Sequence, residues 1–269
     1  MIATKYARFG SLLALAATVI LISCSTQDYR DVAPKSGVAA DSSATSGTDY
    51  MAGEFVKDLE YGIELVAVQM PPETQGASRS RRILVARREL STMLFYRFAG
   101  LDTPELFEIE TERPIRGIAP VDYVRILRGV GYRVPTVTEW NYFARWGSAP
   151  GATRYGDIDD IAWHRRNSGL RPSRSGMKLP NALGLYDVLG NVAELAVNDV
   201  DRAGFSALGG DFGDGTSLDR AHWDVCTFDS SFQVKKNARS LGVGIRPVVD
   251  VPTEPSPLFL SRFRRQAQR

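Results

Sequence analysis

The stretch Asn181-Ala182-Leu183-Gly184-Leu185-Tyr186-Asp187-Val188-Leu189-Gly190-Asn191-Val192-Ala193-Glu194-Leu195 decides how the chain is read. Two glycines and two asparagines interrupt a run that is otherwise apolar. That pattern signals tight turns rather than one long helix or strand. Asp187 and Glu194 stand seven residues apart, with Gly190 and Val192 between them. A loop of that shape can gather two carboxylates and two backbone carbonyls round one point, the all-oxygen arrangement that calcium takes. A turn-rich loop with two solvated acids has the same spacing, so the spacing alone leaves both readings open.

Working outward towards the amino terminus, the next informative segment is Arg133-Val134-Pro135-Thr136-Val137-Thr138-Glu139-Trp140. Pro135 forbids a helix upstream, Thr136 is a good N-cap, and Glu139 three residues later completes a capping box. Trp140, Phe143 and Ala144 give the helix an apolar face, and Gly147 is expected to end it. Further upstream, Ile63–Met70 reads as a strand stopped by Pro71-Pro72, and Ile83–Ala86 as a second strand. Leu94, Phe95, Phe98 and Leu101 follow at helical spacing, with Ser91 or Thr92 as the cap. Val121, Val124 and Leu127 predict another short helix.

Regular periodicity fades over 148–215, which is expected to hold loops and short strands. Brief strands are expected at Phe205–Leu208 and within Gly242–Val249. The segment 251–269 reads as a partly disordered basic Pro/Arg tail, either simply solvated or in contact with a partner or an anionic membrane.

The chain has 269 residues, 43% of them hydrophobic and 24% charged, with net charge +2. Such a balance gives no sign of a dedicated nucleic-acid binder, so no nucleic-acid partner is expected. Two cysteines and two histidines leave little material for thiol or transition-metal chemistry. Lys5 and Arg8, followed by the apolar run Ser11–Ile22, read as an export signal. Leu21-Ile22-Ser23-Cys24 resembles the lipobox of bacterial lipoproteins. Residues 1–23 are then the signal peptide and Cys24 the lipidation site, with a plain membrane anchor as the competing reading. Residues 24–55, rich in Ser, Ala and Gly, read as a flexible tether, and 56–250 as the folded domain.

Five segments in order resemble the formylglycine-generating enzyme, or sulfatase-modifying factor, family. They are Glu89-Leu90-Ser91-Thr92 with Tyr96 and Phe98, Pro114–Ile118 with Asp122, Arg133–Trp140, Gly184–Glu194, and Gly209-Gly210-Asp211-Phe212 with Gly244-Ile245-Arg246-Pro247-Val248. The third and fourth are specific; the others gain weight from their order. The resemblance implies an α+β, loop-rich variant of the C-type-lectin-like fold with short twisted sheets and few helices. It also implies a structural calcium held by the side chains of Asp187 and Glu194 and the carbonyls of Gly190 and Val192. The family's second calcium site would lie near Asn167. The loop Leu170–Gly176 offers no carboxylate for it, and that site is not expected.

The departures bear on activity. Oxidising members of the family bind copper through two cysteines shortly after the "G-G-S" segment. Here Gly209–Leu218 has none, and Cys226 is the one thiol left once Cys24 is modified. The neighbours of His164 and His222 give no ligand spacing for iron. Ala193 and Leu195 stand where the family has tryptophans.

The expected function is therefore a non-catalytic binding or structural module on an envelope-anchored lipoprotein, as in relatives that serve gliding and secretion machinery. A metal-dependent oxidoreductase or protein-modifying factor is the alternative. Partners would be the membrane, through the lipid, and envelope proteins or an extracellular ligand. The location would be the bacterial cell envelope, at the outer rather than the inner membrane. Asp219, Arg220, His222, Trp223, Asp224 and Phe228 mix aromatics with charges and make a candidate ligand surface. Trp223 and Phe228 are equally readable as core.

Overall fold

A computed structural model describes residues 50–71, 81–102, 111–199, 204–213 and 226–266. All of them lie in one compact unit, Gly37–Arg269. Strands β2 (Glu64–Gln69) and β3 (Arg82–Ala86) carry Leu65-Val66-Ala67-Val68 and Ile83-Leu84-Val85-Ala86, with no polar alternation. Strands buried on both faces read this way. Leu65, Ala67, Leu84 and Ala86 face one hydrophobic core; Val66, Val68, Ile83 and Val85 face the other.

These strands are the middle of a five-stranded antiparallel sheet in the order β8-β3-β2-β1-β9. Its other members are β1 (Phe55–Asp58), β8 (Val248–Val251) and β9 (Phe263–Arg265). A second, four-stranded sheet runs β6-β5-β4-β7, made of β4 (Ala193–Val197), β5 (Phe205–Leu208), β6 (Ser231–Val234) and β7 (Val243–Gly244). Here β4 and β7 pair in parallel.

Helix α1 (Thr92–Ala99) is capped by Ser91, whose Oγ accepts from the Leu94 N–H. With α2 (Pro120–Gly129) it covers the first core through Phe95, Phe98, Tyr123 and Leu127. Helix α3 (Val137–Ala144) has the expected capping box of Thr136 and Glu139. It sets Trp140 and Phe143 into the second core. A single turn, α4 (Ile158–Ile161), interrupts the long irregular region. The residues of both cores that the structure describes fall between Tyr50 and Phe263, within the compact unit Gly37–Arg269. No helix among the described residues is long and apolar enough to cross a membrane.

Three boundaries differ from the sequence reading. Helix α3 stops at Ala144, before Gly147, because the Asn181 amide donates to the carbonyls of Phe143 and Ala144 at 2.9 and 3.1 Å. The described fold already includes Tyr50, inside the expected tether: Tyr50 is buried, and its hydroxyl donates to the Phe263 carbonyl at 2.5 Å.

The third concerns the expected disordered tail, which is folded as far as Gln266. Helix α5 (Pro257–Arg262) starts at the Ser256 cap, and β9 then pairs with β1. Two features hold it. Phe263 enters the first core, and the Arg262 guanidinium donates to both oxygens of buried Asp58, at 3.2 and 3.0 Å. Composition registered the prolines and arginines of this segment but not their partners.

Candidate functional site

The turns of the 181–192 stretch come from backbone that ordinary residues avoid. Asp187 (φ 51°) and Asn191 (φ 56°) are left-handed, a conformation that Asp and Asn side chains tolerate. Gly190 is left-handed as well, and a Cβ there would stand 2.5 Å from the Trp163 carbonyl oxygen, so no larger residue fits. The Asn191 side chain works as a strut. Its amide donates to Glu89 and to the Ser173 carbonyl, and its oxygen accepts from the Ser173 N–H. From Ala193 the chain is a strand, so Glu194 lies in a sheet rather than in the turn.

These turns bring three carboxylates, Glu89, Asp187 and Glu194, into the interior with one guanidinium, Arg246. All four are fully or almost fully buried. Arg246 Nη2 donates to Glu194 Oε1 at 2.5 Å, and Nε reaches both oxygens at 3.0 and 3.1 Å. Glu194 Oε2 also accepts from the Trp140 indole N–H at 2.8 Å. Arg246 donates further to the carbonyls of Ala86 and Tyr186, joining β3, the turn stretch and β4. Glu89 accepts from the Val192 N–H at 3.1 Å and the Asn191 amide at 2.6 Å.

Asp187 Oδ2 accepts from the Ser175 hydroxyl and the Gly176 N–H, at 2.8 and 2.6 Å. Its Oδ1 is buried with no hydrogen-bond partner. Burial lifts all three carboxyls above the usual range. Glu89 is raised most clearly, since Asp187 and Glu194 add their repulsion to its desolvation.

The predicted calcium ligands are thus only partly assembled. Three buried acids share the interior with one buried base, and Asp187 Oδ1 lacks a partner. Both features fit a cation beside Asp187. Glu194 departs from the expectation, because Arg246 and Trp140 already occupy its oxygens. Val192 meets Glu89 through its N–H. Among the described residues no three His, Cys, Asp or Glu side chains gather as a metal site. A cation at Asp187 would complete its shell with backbone carbonyls, of which the resemblance supplies Gly190 and Val192.

Of the candidate ligand surface, Asp219, Arg220, His222, Trp223 and Asp224 lie outside the described residues, as does Cys24. Phe228 belongs to the core and not to a surface. It packs against Tyr155 in the second core and under the Arg145 guanidinium, 4.8 Å from its ring centre. Cys226 is buried too, with its thiol 3.6 Å from the Asp211 carbonyl. His164 is a loop brace: Nε2 lies 2.7 Å from Asp159 Oδ1, and Nδ1 accepts from the Arg166 N–H.

The sequence reading used Glu89 and Arg246 only as motif letters and missed that they are the centre of the charge cluster. A signal existed. Arg246 is a lone charge in Val243-Gly244-Ile245-Arg246-Pro247-Val248-Val249, and a charge buried with such neighbours must find a partner.

A sequence profile of the sulfatase-modifying factor enzyme 1-like domain matches residues 77–250. The chain is 32% identical over 84 residues to the chaperone protein LppX of Paenibacillus barcinonensis. That match covers 24% of this chain and 30% of the relative, so the chain spans under a third of that protein's length. Among solved structures, variable protein 1 of Treponema denticola superposes with a TM-score of 0.57 at 16% identity, over 72% of this chain and 98% of that one. PvdO of Pseudomonas aeruginosa gives 0.56 at 17% identity, over 76% and 100%. Likeness at these identities speaks for the fold alone. Together with the profile, it establishes that the chain belongs to the sulfatase-modifying factor enzyme 1-like domain family and has the formylglycine-generating-enzyme-like, C-type-lectin-like fold.

Proposed function

We propose that the chain is an envelope-anchored lipoprotein whose domain binds or supports other envelope components without catalysing a reaction. The observation that carries this reading is the fate of its sulfur. Residues 209–218, where oxidising relatives are expected to place two copper-binding cysteines, have none, and Cys226 is a buried core residue beside a carbonyl. One inaccessible thiol cannot form the two-thiolate site that soft copper chemistry requires. The anchor reading is supported by Leu21-Ile22-Ser23-Cys24 after an apolar run. A structural calcium at Asp187, with the carbonyls of Gly190 and Val192, belongs to the same proposal, while Glu194 serves Arg246 and Trp140 instead. Its support is the unpartnered Asp187 Oδ1 and the three buried acids beside one buried base.

The test is co-expression with a sulfatase that carries its modification sequence, followed by mass spectrometry of the target cysteine. An unmodified cysteine is expected. Formylglycine at that position would restore the protein-modifying alternative. Metal analysis of the purified chain separates the oxidoreductase alternative. Calcium is expected without copper or iron, and stoichiometric copper lost with Cys226→Ala would sink the non-catalytic reading.

A further inference from the structure

Between Ile161 and Tyr186 the chain has no acidic residue but carries Arg165, Arg166, Arg171, Arg174 and Lys178. The structure sorts this segment by side-chain type. Its serines turn inward as clamps. Ser168 Oγ donates to the Phe212 carbonyl, Ser173 pairs through its backbone with Asn191, and Ser175 Oγ and the Gly176 N–H hold Asp187. Pro172 is buried between them. The arginines turn outward: Arg165, Arg166 and Arg174 are exposed and Arg171 is half-buried.

At the tip stand Gly169 (φ 65°) and Leu170 (φ 61°), two left-handed residues in succession. Leucine in that conformation is strained, and Gly or Asn would hold the same turn more easily. Its side chain nevertheless points to solvent, 52% exposed, and its N–H is fixed by Ser168 Oγ. The backbone gives no reason for leucine there. An exposed aliphatic on a rigid basic loop is what remains to be explained.

We infer that the loop 165–175 is a docking surface for an anionic lipid bilayer, with Leu170 entering the acyl boundary and the surrounding arginines meeting headgroup charges. A bilayer accepts a solitary projecting aliphatic without a shaped pocket, whereas a protein partner would need one. Among the described residues Glu112 pairs with Arg174 at 2.9 Å, Asp159 holds His164, Asp211 accepts from the Gly213 N–H, and Asp157 and Asp160 stand exposed on the adjoining turn α4. The inference rests in part on the proposed anchor: a Ser/Ala/Gly-rich tether over residues 25–49 would reach roughly 30 Å, keeping the loop within range of the same membrane.

The experiment uses the compact unit Gly37–Arg269, which lacks the expected signal and Cys24, once a cooperative thermal melt has shown that it folds. It is co-sedimented with vesicles of phosphatidylcholine alone, or of phosphatidylcholine with phosphatidylglycerol. Binding is expected only to the charged vesicles, and it should weaken with salt. Arg166→Gln with Arg171→Gln is expected to lower partitioning about 25-fold, roughly fivefold for each cation removed. Leu170→Asn should lower it about tenfold while the melting temperature holds or rises, because Asn relieves the backbone strain. That stability readout separates a lost contact from a damaged fold.

Equal binding to neutral vesicles, or unchanged binding by both variants, overturns the inference. So does binding to polyglutamate without binding to charged vesicles, which would assign the loop to an acidic protein instead. Lipid labelling of Cys24 in cells is scored separately. A chain that binds charged vesicles but takes no label would sink the anchor and leave the loop assignment standing.

Discussion

Arg246 gathers two carbonyls and one carboxylate in the interior, and its partner Glu194 has no other cation within bonding reach among the described residues. Removing one member of such a pair strands the other without water. Arg246→Met should therefore cost about 3–5 kcal/mol in denaturant unfolding. The double variant Arg246→Met with Glu194→Leu should lose much less than the sum of the two single changes. Additive losses would mean that the two side chains act independently.

Asp187 makes the opposite case, because its free Oδ1 is a debt that a cation can discharge. Calcium at about a hundredfold excess over its dissociation constant should stabilise by about 2.7 kcal/mol. In a domain of this size that raises the melting temperature by roughly 5–10 °C. Asp187→Asn should abolish the rise, and a wild-type melt indifferent to both calcium and chelator would remove calcium from the account. At this scale the sequence was half legible. Asp187 and Glu194 could be singled out from spacing, but spacing carries no information on which cation neutralises which acid. Arg246 arrives from 52 residues further along the chain.

Elements were more legible, because the rules that set them are local. The capping box of α3 and the Ser91 cap of α1 depend on residues three positions apart, and both stand as read. What failed were endings set from a distance. Asn181 stops α3, and Asp58 captures the carboxy-terminal segment. An ion network that ties β8 to the start of α3 belongs to this scale. Arg133 joins Glu139 at 2.7 Å and Asp250 at 2.7 and 2.6 Å. Burial raises the Asp250 carboxyl, but Arg133 and Arg81 outweigh it and hold the group below the usual aspartate range.

A depressed carboxyl stabilises the fold above its unfolded pKa, and that stabilisation is lost as pH falls through the folded value. Asp250→Asn should thus lower stability near neutral pH and make progressively less difference as the pH falls below about 4, the unfolded value, and through the folded one. The Asp250 side chain is 53% exposed, so the neutral-pH loss should stay under about 1 kcal/mol. A larger deficit in acid than at neutral pH would reverse the assignment. Truncation after Val251 tests the other distant ending. It removes β9 and the Arg262 guanidinium, leaving buried Asp58 with the Tyr132 hydroxyl at 2.6 Å and the Glu60 N–H at 2.8 Å but no cation. A loss of several kcal/mol is expected, against almost none for a solvated tail.

For the whole molecule, folding the tail changes what can hold the protein at a membrane. Read as a loose basic appendage, residues 251–269 offered a second anchor beside Cys24. In the structure Arg262 is spent on Asp58 and Glu60, and Arg265 on Glu54, while Phe263 is buried. Stable attachment needs two signals, since one acyl chain or a few basic residues alone bind reversibly. Among the described residues the basic loop 165–175 is a further candidate, on a separate part of the chain from the lipid proposed at Cys24. Cells fed an alkyne-tagged fatty acid should label the wild-type chain, and Cys24→Ser should remove the label. Within the labelled protein, Leu170→Asn with Arg171→Gln should leave the label intact but let more of the chain wash from membranes at moderate salt. Attachment that survives both sets of changes would point to a partner protein as the true tether, and the site of that contact would then have to lie elsewhere on the domain.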